Sequence, residues 1–125
     1  MSQHNEVGKI GEGFAREYLK KQGYKIVEQN YKTKYAEIDL VAEKFLGFFG
    51  KSTLVFVEVR TKVGENFGSP EDTLKPEKLR KVLWNAKTYS AFKKWQGPSR
   101  IDAICIVLNP DFSVARLTHH ENIVS

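Results

Sequence analysis

Cysteine is nearly absent from this chain. The single residue, Cys105, excludes an internal disulfide framework and any zinc site built from several cysteines. Proline is sparse, and glycine or a charged residue interrupts every apolar stretch before the ~18 residues that a membrane-spanning helix needs. The opening Met1-Ser2-Gln3-His4-Asn5-Glu6 lacks the basic-then-apolar profile of a secretory signal. The expectation is therefore a soluble, reducing, cytoplasmic setting with no membrane partner. A length of 125 residues suits a single domain, 1–125, with a polar stretch at 1–7 expected to be disordered.

Charge is plentiful and leans to one sign. Twenty Lys and Arg against fifteen Asp and Glu leave a formal charge of +5. A balance of this kind suits a polyanionic partner, because neutralising phosphates releases condensed counterions. Charge alone does not single out nucleic acid, since many small basic proteins bind nothing anionic.

The hydrophobic periodicity predicts a helix over about 8–22, with Ile10, Phe14, Tyr18 and Leu19 as its stripe and Gly23 as its stop. Strands are predicted at about 24–30, 35–43 and 53–63. A loop or short irregular helix follows over 64–75, then a second helix from Pro76 to about residue 95. The nearly continuous apolar run 101–108 reads as a strand buried on both faces, and a last strand is expected at about 113–118. The order α-β-β-β-α-β-β requires a crossover between the third and fourth strands, hence an α/β domain with a mixed sheet flanked by helices.

Chemistry concentrates in two strands. Period-two alternation places Glu37 and Asp39 on one side of the second strand, with Ile38, Leu40 and Ala42 on the other. In the third strand, Glu58, Arg60 and Lys62 share a side with Leu54 and Phe56, opposite Val55, Val57, Val59 and Thr61. If the strands are neighbours, carboxylates and cations converge. Such carboxylates repel one another unless a cation neutralises them. A hard divalent ion with oxygen ligands is the natural partner, able to activate water beside a phosphoryl group. The same spacing also describes a solvated strand face carrying cross-strand ion pairs. A face that starts apolar and turns charged favours the mouth of a cleft. Glu12 lies at the border of the first helix's apolar stripe, where it reads either as a residue aimed at the sheet's rim or as an exposed early-turn acid. Lys75, Lys78, Arg80 and Lys81, in and around the second helix, form the candidate phosphate-tracking surface.

Three other features suggest chemistry without supporting it. Gly8-x-x-Gly11-x-Gly13 follows no strand and lacks the ending of a phosphate-binding loop. His119, His120 and Glu121 lack helical metal spacing and are expected to cap the last strand in solvent. Cys105 lies in a buried apolar run with no nearby base, so core packing is its expected role. The connection Phe45-Leu46-Gly47-Phe48-Phe49-Gly50 is expected to pack on the core, with self-association or insertion into an unpaired junction as the alternative.

Several short motifs occur in order: Gly8-x-x-Gly11-Glu12-x-x-Ala15-x-x-Tyr18-Leu19-x-x-x-Gly23-Tyr24, Asn30-Tyr31, Glu37-Ile38-Asp39-Leu40-Val41-Ala42 and Val55-Phe56-Val57-Glu58-Val59-Arg60-Thr61-Lys62. They continue with Phe67-Gly68-x-Pro70, Lys78, Arg100-x-Asp102 and His120-Glu121-Asn122. In this combination the chain resembles the uncharacterised bacterial YraN-like family, whose members are similar to Holliday-junction resolvases and to restriction-endonuclease-like PD-(D/E)xK nucleases. The resemblance implies a restriction-endonuclease-like fold and a Mg²⁺- or Mn²⁺-dependent phosphodiesterase site. Asp39 and Glu58 would be metal ligands, the backbone carbonyl of Val59 a third, and Glu12 an assisting acid. Position 60 would match the motif's lysine, and Glu37 would be accessory. The usual Glu-Val-Lys-Thr-Arg stands here as Glu58-Val59-Arg60-Thr61-Lys62. Arginine keeps its proton, so Arg60 can hold phosphate but not act as a base, leaving Lys62 to cover the amine's role. The implied activity is structure-directed cleavage of DNA, branched DNA included, by a homodimer. The alternatives are a non-catalytic nucleic-acid-binding module of the same fold and, behind it, a protein-interaction domain.

Overall fold

The computed structural model describes residues 3–45, 47 and 50–124. Its elements are α1 (Gln3–Lys21), β1 (Tyr24–Lys32), β2 (Glu37–Phe45), β3 (Ser52–Val63), α2 (Pro76–Phe92), β4 (Ser99–Leu108) and β5 (Val114–His120), with a short 3-10 turn at Pro70–Thr73 before α2. This is the predicted order. The five strands lie in sequence order β1-β2-β3-β4-β5. Every neighbouring pair is antiparallel except β3 and β4, which are parallel and joined by the crossover through α2.

One helix covers each face of the sheet. Val7, Ala15 and Leu19 of α1 pack with Leu40, Ala42, Val55, Val57, Ile104, Ile106 and Leu108. Val82, Ala86 and Tyr89 of α2 pack with Ile38, Val41, Leu54, Phe56 and Ile101 on the other face. The β4 run is buried from Ile101 to Leu108, as its unbroken apolar sequence requires.

Three differences from the sequence pattern have physical causes. The α1 helix begins at Gln3, so residues 3–7, expected to be disordered, form its first turns, with Val7 buried as an anchor. Its buried stripe is Val7, Gly11, Ala15 and Leu19, four apart, and Phe14 lies outside it, 37% exposed. Small residues carry the contact because the helix lies close to the sheet. A Cβ at Gly11 would overlap the Thr61 side chain of β3. Finally, Ile38 does not share a face with Leu40 and Ala42 but packs in the α2 layer. The regular β2–β3 register is recorded from Leu40↔Val57 to Phe45↔Ser52, and strict alternation fails on β2 just before it, at Asp39.

The connection between β2 and β3 falls partly outside the described residues. Leu46, Phe48 and Phe49 lie there, while Phe45 is described and exposed.

Candidate functional site

The site forms where β2 leaves β3. Past the Leu40↔Val57 pair, the Val59 N–H donates to the side chain of Asp39, Oδ2 at 2.8 Å, in place of a backbone carbonyl of β2. The Asp39 carboxylate thereby occupies the gap between the strands. Glu12 approaches it from the α1 side, brought in by the close packing of the adjacent Gly11 on Thr61. Glu58 approaches from the α2 side, because it shares a face with Leu54 and Phe56. Glu37 stands beside Glu12 through Asn30. With its amide oriented to donate, Asn30 Nδ2 lies 3.0 Å from Glu37 Oε1 and 2.9 Å from Glu12 Oε1. Asn30 holds a positive φ of 52°, a conformation that asparagine tolerates better than most residues. Its side chain joins the two acids.

Glu12, Glu37, Asp39 and Val59 line an open cleft of about 740 Å³, with Lys9, Asn30 and Lys32 among its other walls. Glu58 is buried beside this cleft and is not part of its lining. Its side chain is only 4% exposed and is counter-charged at Oε1 by Arg60 Nη2 at 3.1 Å and Lys78 Nζ at 3.7 Å. Glu58 Oε2 and the Arg60 Nε are buried with no hydrogen-bond partner among the described residues. Orphaned polar atoms of this kind are costly and uncommon in folded proteins.

The electrostatics follow from this crowding. Burial, reinforced by the neighbouring Asp39 and Glu37, raises the Glu12 pKa to about 7. Burial and the Asp39 charge raise Glu58 to about 8, against the opposing pull of Arg60 and Lys78. Asp39 is also raised, by burial and by Glu37, although its hydrogen bond from Val59 and the charge of Arg60 hold it back. Three neighbouring carboxyl groups thus resist ionisation together, and a bound cation would relieve all three.

Asp39, Glu58 and the Val59 carbonyl offer hard oxygen donors, with Glu58 Oε2 unpartnered, and this donor set suits Mg²⁺ or Mn²⁺. The oxygens of Glu12, Asp39 and Glu58 do not all close to within 4.8 Å of one another. Asp39 lies between the other two, so Asp39 and Glu58 could bind an ion directly while Glu12 reaches it through water.

The cations are distributed differently from the sequence expectation. Arg60 stands against Glu58, as its strand face requires. Lys62 points away, its ammonium beside Gly68, in a second cleft lined by Arg60, Thr61, Lys62, Phe67 and Pro70. Lys78, assigned from sequence to the phosphate-tracking surface with Lys75, Arg80 and Lys81, instead reaches Glu58. It is therefore Lys78 that brings an amine to the acidic centre. The other three are exposed at the N-terminal end of α2. Sequence reasoning missed the roles of Asn30 and Lys78, since both depend on tertiary placement and neither stands in the charged alternation of β2 and β3.

The terminal histidines also differ from expectation. His119 is mostly buried within β5, with Nε2 2.7 Å from Asp102 Oδ2 and Nδ1 3.0 Å from the Tyr18 hydroxyl. His120 Nε2 lies 2.9 Å from Glu71. Both are held by carboxylates and do not stand as solvent caps. Cys105 is fully buried, but it is not without a nearby base, since a Glu71 carboxylate oxygen and a His120 ring nitrogen lie within 4.8 Å of its thiol; burial and then the Glu71 charge raise that thiol to about 12.

A three-layer mixed α/β domain, one helix on each face of the sheet, with an acidic junction at the split between its second and third strands is the class these features define. The model of the uncharacterised protein family UPF0102 matches residues 11–106, and the chain belongs to this family, the YraN-like family. It is 37% identical over 123 residues to a UPF0102 protein of Flavobacterium johnsoniae, covering 94% of this chain and 95% of the relative. It is 40% identical over 117 residues to a UPF0102 protein of Caldanaerobacter subterraneus, covering 91% and 89%. A UPF0102 protein of Syntrophomonas wolfei is 46% identical over 76 residues, 61% of each chain. Among the described residues no helix is long and apolar enough to cross a membrane.

Proposed function

We propose that this protein is a metal-dependent, structure-directed DNA endonuclease that hydrolyses phosphodiester bonds. One observation carries the reading. Glu12, Asp39 and Glu58 arrive from three separate elements at one split in the sheet, and all three carboxyl groups are raised, first by burial, with the Asp39 charge adding to Glu12 and Glu58 and the Glu37 charge adding to Asp39. That arrangement destabilises the fold without a compensating cation, and its donor set suits Mg²⁺ or Mn²⁺ held by Asp39, Glu58 and the Val59 carbonyl. When bound, such an ion supplies a more acidic water and neutralises charge growing on the phosphoryl oxygens.

The chain's own residues do the rest. Glu12, on the wall of the cleft beside Asp39, takes a proton from the attacking water. The water oxygen forms a new bond to phosphorus as one bridging P–O bond breaks, the departing oxygen being protonated from solvent. Arg60 and Lys78, already beside Glu58, stabilise the added negative charge. Asn30 and Glu37 fix the orientation of Glu12. This reading implies DNA, branched DNA included, as the partner, the cytoplasm as the compartment and a homodimer by analogy with resolvases.

The test is incubation of the purified protein with branched and linear DNA in Mg²⁺, Mn²⁺ or chelator, beside Asp39→Asn and Glu58→Gln. Metal-dependent cutting lost in both variants is the expected result. Binding without cutting, unmoved by either substitution, would leave a non-catalytic nucleic-acid-binding module.

A further inference from the structure

A second groove lies across the β1–β2 turn from the acidic cleft. Lys32 and Glu37 line the cleft, whereas Lys34 and Tyr35, within the same turn, line a groove of about 590 Å³ together with Glu77, Arg80, Lys81 and Trp84 of α2. Tyr35 and Trp84 are 63% and 62% exposed, and Lys34 Nζ stands 5.1 Å from the centre of the Tyr35 ring. Two large, mostly exposed aromatics thus stand among three cations and one acid on a single surface.

The groove is held rigidly from beneath. Thr33 closes the turn, its N–H donating to the Ala36 carbonyl at 2.9 Å. The fully buried Asn85, adjacent to Trp84, donates through Nδ2 to that carbonyl at 2.9 Å and accepts from the Thr33 hydroxyl at 2.7 Å. A buried side chain thereby pins the Tyr35 turn to the helix that carries Trp84, fixing the two rings' supports relative to each other without covering either ring.

We propose that this groove is a base-stacking platform for an unpaired stretch of nucleic acid. Exposed aromatic faces accept any base, and adjacent cations follow the phosphates. Bases paired inside a duplex cannot reach such faces, so the platform selects single-stranded segments such as those at a branch, gap or frayed end. The inference rests on the nuclease reading for its purpose and sharpens the substrate of that site. Its own chemistry requires only binding.

The experiment titrates the full chain with a single-stranded oligonucleotide in chelator, following tryptophan fluorescence and affinity. A matched duplex and an abasic strand of equal length serve as comparisons. Stacking predicts quenching by the base-bearing strand and binding about tenfold weaker for the abasic strand. Trp84→Ala and Tyr35→Ala should each weaken binding of the base-bearing strand by a similar factor, with Trp84→Phe retaining most of it. Arg80→Gln and Lys81→Gln should each flatten the salt dependence, lowering the slope by about 0.7. Equal affinity for abasic and base-bearing strands, indifference to the aromatic substitutions, or no binding to nucleic acid would each overturn the platform. Assaying the parent protein for cutting in Mg²⁺ beside this titration separates the two proposals: a parent that stacks the strand but never cuts sinks the nuclease alone, and one that cuts without stacking sinks the platform alone.

Discussion

Glu58 shows how one residue couples the site to stability. The folded protein keeps protons on Glu58 and Glu12 up to about pH 8 and 7, whereas the unfolded chain releases them near 4.5. Between those values the native state binds more protons, so stability falls as pH rises from about 4.5 and levels off above about 8. Glu58→Gln removes much of that slope. We expect the variant to be more stable than the parent by about 1 kcal/mol at pH 8.5 and nearly equal to it at pH 5, as read by thermal melts. Under the proposed function, Mn²⁺ raises the parent's melting temperature more at pH 8.5 than at pH 6, because the ion displaces those protons, and Glu58→Gln loses that increment. Gly11 acts at the same scale by geometry. A methyl group there meets Thr61, so Gly11→Ala should destabilise the protein by about 1–3 kcal/mol, and Gly11→Ala with Thr61→Ala should recover part of the loss. An additive double mutant would refute the contact.

At the scale of elements, the sequence was most legible where periodicity was strong. The β4 run, the β3 alternation and the element order were all readable, because an unbroken apolar strand and a two-residue period have few other interpretations. The acids Glu12, Glu37, Asp39 and Glu58 were readable as candidates, but the faces of β2 were not. Alternation put Ile38 with Leu40, whereas the loss of regular pairing at Asp39 sends Ile38 to the α2 layer. Strict period two fails where a side chain replaces the backbone as acceptor. Lys78 was named as a phosphate contact, but its approach to Glu58 was not readable, because helix charge patterning does not say which lysine a buried carboxylate will recruit.

The β4–β5 pair holds a second polar cluster, in which Asp102, His119 and Glu121 bring ligand atoms within 4.8 Å of one another. Asp102 is fully buried and accepts from Arg100, His119 and the Asn122 N–H. Burial pushes its pKa up, but these hydrogen bonds outweigh it and hold the carboxyl below the ordinary range. Its contribution is present above about pH 4 and is lost as pH falls through the lowered value. Asp102→Asn should cost about 2–3 kcal/mol in denaturant unfolding at pH 7, leaving Arg100 with Glu121 as its remaining carboxylate. A loss well under 1 kcal/mol would show that the cluster tolerates a neutral partner.

The whole molecule is two helical layers separated by one sheet, and each layer has its own apolar cluster. Phe56 of β3, buried edge-to-face against Tyr89 of α2, anchors one of them, and Phe56→Ala should cost about 3–5 kcal/mol and loosen α2 first. Asp39 stands where the sheet parts and answers to Glu12 on one side and Glu58 on the other. The two halves of the domain therefore share a single electrical junction. Neutralising that junction should slow amide hydrogen exchange in α1 and α2 together, making a local charge change measurable as stiffening across the full thickness of the protein.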